Sequence, residues 1–98
     1  MDKPPAAIKG ASILCYSFID QRHRPTGACA HRVDGELVGA ASGLAVCRYG
    51  EDAGVILYYC DERWQVMTHA HHQTLDEAKD QAEFEYEGVS ATWETVGR

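Results

Sequence analysis

No stretch of this chain matches a catalytic or cofactor-binding signature, so its residues argue architecture and compartment more directly than chemistry. The four cysteines, Cys15, Cys29, Cys47 and Cys60, include no Cys-x-x-Cys pair. Each lies inside an apolar run, the setting of reduced core thiols that pack as small hydrophobes; two disulfides are the alternative for an exported chain. Long hydrophobic runs are missing as well. The longest, residues 53–60, falls far short of the roughly 20 residues a membrane-spanning helix needs. The opening Met1-Asp2-Lys3-Pro4-Pro5 lacks the apolar core of a signal peptide, so the expected location is the cytoplasm. Basic charge is scarce: 9 Lys and Arg stand against 15 Asp and Glu, a net charge of −6. Residues 1–50 carry six basic against four acidic side chains, whereas residues 51–98 carry three against eleven. An acidic C-terminal half repels phosphate backbones, which argues against general nucleic-acid binding. There is no internal repeat and no low-complexity segment.

What the chain does contain is one clear helix. Thr74 can cap the first free amides with its hydroxyl, and Glu77, three residues on, can reach back to the Thr74 amide, a capping box. Gly88 can take the left-handed conformation that ends helices, so the spacing predicts a helix over residues 75–87. At about 100° per residue, Leu75, Ala78, Ala82 and Tyr86 gather within roughly 80° of arc and form the face that packs on a sheet. Asp76, Asp80, Glu83 and Glu87 make a separate acidic ridge. Phe84 falls nearly opposite the packing face and is expected to fold over the helix end towards Val89.

Strand patterns surround that helix. Residues 12–19 are apolar on both sides, with Leu14, Tyr16 and Phe18 on one and Ile13, Cys15 and Ile19 on the other, as in a central strand. Asp34-Gly35 between residues 28–33 and 36–41 predicts a two-residue hairpin that pairs Val33 with Glu36. Further strands are expected over 44–49, 55–60, 64–71 and 91–96. In the third of these Trp64, Val66, Thr68 and Ala70 should alternate with Gln65, Met67, His69 and His71. Residues 1–10, with Pro4, Pro5 and Gly10, read as a flexible arm before a single domain over 11–98.

The run Leu57-Tyr58-Tyr59-Cys60-Asp61, Trp64, residues 74–83 and Tyr86 resembles small uncharacterised bacterial proteins that share a strand, turn, strand, helix ending. The resemblance covers about the last 45 residues and implies no role for any of them, since a capped amphipathic helix on a sheet would show much of it anyway.

Three groups of residues are candidates for function. His69, His71 and His72 are the one dense set of metal ligands. On a strand His69 and His71 share a face about 7 Å apart and could hold zinc, with His72 pointing away. A third ligand would have to come from elsewhere, His31 or Glu36 for example; a polar edge strand is the plain alternative. Arg22, His23 and Arg24, beside Pro25, read as a solvated loop or a contact for an acidic partner, and with Arg32 they would serve a nucleic-acid-binding barrel. The ridge Asp76, Asp80, Glu83 and Glu87, with Phe84, reads as a solvated face or as the docking surface for a basic protein partner.

The expected fold is α+β: a twisted, mostly antiparallel sheet of 5–7 short strands with one helix; a bent SH3- or Sm-like barrel carrying the helix is the alternative. One helix shields about two strands of such a sheet, so a second copy packing on the uncovered face as a homodimer is also expected. The function expected is that of a non-enzymatic protein-interaction or self-association module. A metal-dependent site at His69, His71 and His72 and nucleic-acid binding by a small barrel are the alternatives.

Overall fold

The computed structural model describes residues 2–25, 41–51 and 53–96, together with the backbone of residues 32–33 and 36–37. The fold is α+β, a curled antiparallel sheet with one helix near its C-terminal end. Three strands make the sheet's centre: β2 (Ala11–Phe18), β6 (Gly43–Arg48) and β7 (Val55–Cys60); β8 (Val66–His72) follows at one side, in the order β2-β6-β7-β8. The outer edge of β2 is shared by β1 (Ala7–Ile8), against Ala11 and Ser12, and β10 (Glu94–Thr95), against Cys15 and Tyr16. Two-residue strands of this kind blunt an edge against further pairing. Of the stretch expected as an arm, Ile8 is buried and the Asp2 carbonyl accepts the Trp64 indole N–H at 2.7 Å.

Two further pairs lie off the main sheet. Strands β4 (Arg32–Val33) and β5 (Glu36–Leu37) pair Val33 with Glu36, the register of a two-residue loop. The turn residues Asp34 and Gly35 themselves, and residues 28–31 and 38–40 of the expected hairpin, lie outside the described residues. Strand β3 (Arg24–Pro25) pairs with β9 (Tyr86–Glu87), tying the basic loop to the end of the helix.

Both faces of the central strands are buried. All six residues of β7 are inaccessible, as their uninterrupted apolar run requires. Against the helix side pack Cys15, Leu44, Val46, Val55, Leu57 and Tyr59, under Ala78, Ala82 and Tyr86 of the predicted helical face, with Leu75 at its margin. The opposite, concave side encloses Ile8, Ile13, Tyr16, Cys47, Ile56, Tyr58 and Trp64. There Tyr16 and Trp64 meet edge-on at 5.9 Å and Phe18 lies 5.8 Å from Trp64. The curl therefore covers much of the face opposite the helix. Of the residues that argued for a second copy, Ile13, Val46, Ile56 and Tyr58 are buried within one chain, whereas Ile19 and Met67 are half-buried. Among the described residues β8 pairs only with β7, so the part of the sheet they form is a half-barrel.

Two bulges change which side chains share a face. In β2, Ile13 pairs with Cys47 and Cys15 with Val46, so Leu14 is an extra residue. Ile13 then joins Tyr16 and Phe18, while Leu14 joins Cys15 and Ile19, the reverse of the strict alternation for both residues. In β8, Tyr59 pairs with Thr68 and Cys60 with Val66, so Met67 is extra; Val66 faces the concave side and Ala70 the helix side.

Helix α1 (Leu75–Glu85) starts as expected, with Thr74 Oγ1 accepting the Glu77 N–H at 3.1 Å. The reciprocal bond shifts by one residue: the Glu77 carboxylate accepts from the Gln73 amide at 3.1 Å, not from Thr74. The end differs more. Tyr86 turns extended to pair with Pro25, so the helix stops at Glu85. Gly88 is left-handed (φ 103°), but it opens a short 3₁₀ turn, Val89–Ala91. A Cβ at Gly88 would lie 2.9 Å from the Arg22 carbonyl.

Candidate functional site

The turn after Arg48 and the β8–α1 junction enclose an open cleft of about 970 Å³. Its walls are Tyr49, Val55 and Ile56 on one side, His71 and His72 on another, and Thr74 and Glu77 at the start of α1. Tyr49 donates to the Lys9 carbonyl at 2.7 Å and hydrogen-bonds Tyr58. Burial first, then that contact, raises the Tyr58 hydroxyl above the usual phenol range. Sequence reasoning missed Tyr49 and Glu77 as cleft residues. Nothing local marks them, because the β6–β7 turn alone carries Tyr49 to the side of His71.

The histidines sit as the strand period requires. His69 and His71 lie opposite Tyr58 and Ile56 of β7 and so share the concave-side face, exposed, with ring centroids 5.4 Å apart. The Tyr58 ring lies 6.0 Å from His69. His72 points to the other face at the entry to α1; its Nε2 is buried without a hydrogen-bond partner among the described residues. Among the described residues no three His, Cys, Asp or Glu side chains are placed to hold one metal ion. The side chains of His31 and Glu36 lie outside the described residues.

In the basic loop only His23 is buried, and both arginines are exposed but paired. Arg22 bonds Asp20 through Nε and Nη2, both at 3.0 Å, and that side-chain contact foremost holds the Asp20 carboxyl below its ordinary range. Arg24 pairs with Glu87 at 2.5 Å. His23 is a buried structural group: its Nδ1 accepts from the Asp20 amide at 3.1 Å, which leaves Nε2 as the donor to Thr92 Oγ1 at 2.8 Å. Solvent screens exposed ion pairs of this kind, so they add little stability and their effect here is to occupy Arg22 and Arg24.

The acidic ridge divides in two. Glu83 accepts from the amides of Gly88 at 3.0 Å and Ser90 at 2.9 Å, and these backbone bonds hold its carboxyl below the usual range. Glu87 is taken by Arg24. Asp76 and Asp80 remain exposed, next to a Phe84 ring that is 62% exposed. Phe84 projects outward instead of folding over the helix end, because the early stop at Glu85 and the 3₁₀ turn carry Val89 into the helix-side core.

Cys15, Cys47 and Cys60 are buried free thiols, and burial pushes them up to about 11, 12 and 12. Cys29 lies outside the described residues. Among the described residues no helix is long and apolar enough to cross a membrane. Compared with protein-family models, curated proteins and solved structures, the chain matches none of them.

Proposed function

We propose that this chain is a non-enzymatic interaction module that docks a basic protein segment on the outer face of α1. The carrying observation is the division of the ridge. Glu83 and Glu87 are consumed by the fold, whereas Asp76 and Asp80 stand exposed in line with the exposed Phe84, one helical turn apart. An exposed aromatic ring at the end of a row of two carboxylates that pair with no base among the described residues suits a segment that carries an apolar side chain beside Lys or Arg residues. The chain's net charge of −6 favours encounter with such a partner. Thiols pushed far above neutral offer no nucleophile among Cys15, Cys47 and Cys60, and their reduced state suits the cytoplasm, where we place the module.

The test is anisotropy of labelled peptides of one length, basic or acidic, each with a central Leu. The basic peptide should bind, weaken with added salt, and lose at least about tenfold in affinity with Asp76→Lys and Asp80→Lys combined, about 1.4 kcal/mol. Equal binding of the basic and acidic peptides, or no effect of the double substitution, contradicts the reading.

A further inference from the structure

We propose that His69 and His71 form a two-point chelate for a borderline divalent transition metal, copper(II) ahead of nickel(II) and zinc(II), with water completing the coordination. Strand β8 places both side chains on one face, and the bulge at Met67 lies before them, so the alternation from Thr68 to His72 is unbroken. Both rings are exposed and neither makes a hydrogen bond within the described residues, so their nitrogens are open to a ligand. Imidazole suits these metals, and their affinities rank in that order at nitrogen sites.

The ring spacing fits a shared ion. An imidazole nitrogen lies about 2.0–2.1 Å from such a metal, so two rings put their centroids about 4.5 Å apart at the roughly 90° angle of a tetragonal site and about 5.2 Å apart at a tetrahedral one. The observed 5.4 Å lies just above these values, so the pair needs only a small closure to share an ion. Beneath them Tyr58 supports the His69 ring at 6.0 Å and is itself fixed by its bond to Tyr49, which limits the rotamers the pair must surrender on binding. His72 takes no part, since it faces the helix side, and Glu77 is committed to the Gln73 amide. The site therefore has two protein ligands and open positions towards solvent. Such an arrangement binds a metal reversibly and does not depend on the docking face of α1.

Calorimetric titration of the full chain, without an affinity tag, with copper(II) and nickel(II) tests this. One equivalent should bind, copper tighter than nickel, and His69→Gln or His71→Gln should each weaken copper at least about tenfold. Copper should raise the melting temperature of the parent but not of the two variants. In the unaltered chain, substoichiometric copper should broaden the imidazole signals of His69 and His71 before those of His23 and His72. Broadening centred on another histidine, or variants that bind copper as the parent does, would overturn the proposal.

Discussion

Trp64 shows how one side chain can hold an unfavourable backbone. It sits at φ 61° in the turn between β7 and β8, where Asp61 accepts the amides of Arg63 and Gln65 through Oδ1. A left-handed non-glycine residue costs roughly 1–2 kcal/mol. That cost is offset because the indole is buried against Tyr16 and Phe18 and donates to Asp2. Removing the ring should therefore give an inverted order: Trp64→Ala loses about 3–5 kcal/mol, while Trp64→Gly loses about 1 kcal/mol less because glycine relieves the strain. Denaturant unfolding of both variants checks it, and a less stable glycine variant would contradict the strain. Glu83 gives a pH-dependent counterpart. Its native carboxyl is held below the unfolded value of about 4.3, so its contribution is full above that value and is lost as pH falls through the lower native one. Glu83→Gln should be less stable than the parent at pH 6, and the gap should close towards pH 3 in parallel urea titrations.

The start of α1 was legible from residues 74–77 because a cap is local chemistry: Thr74 and Glu77 each bond an amide within four residues. Thr74→Ala should cost about 1 kcal/mol in thermal unfolding, and Thr74→Ser should be near neutral. Strand β7 was equally legible, since a bounded apolar run has one reading once both faces are buried. The Val33–Glu36 pairing followed from the turn dipeptide. What sequence could not give was the face of Leu14 or of Val66. Each depends on an extra residue that exists only relative to the register of the partner strand, and one such residue reverses every side chain beyond it. The end of α1 was hidden for a related reason. Tyr86 leaves the helix to pair with Pro25, a contact across sixty residues that no local pattern encodes.

For the molecule as a whole, the decisive geometry is curl. A flat six-stranded sheet with one helix would leave an apolar face bare, whereas the curled sheet buries Ile13, Ile56 and Tyr58 within one chain. The same closure seals the thiols. Cys15, Cys47 and Cys60 should react with a disulfide reagent at pH 8 only after unfolding, so at most one of the four cysteines should be rapid in the folded protein. Two or more rapid thiols would show that the core is open. Charge has also been sorted at this scale, with the basic loop paired to Asp20 and Glu87 and, on α1, Asp76 and Asp80 left outward. The most direct test of the account is an amide NMR titration of the full chain with the basic peptide. Shifts should cluster around Asp76, Asp80 and Phe84 and spare the Arg22–Arg24 loop. Shifts centred on that loop or on the His71 cleft, with the α1 amides unmoved, would contradict it.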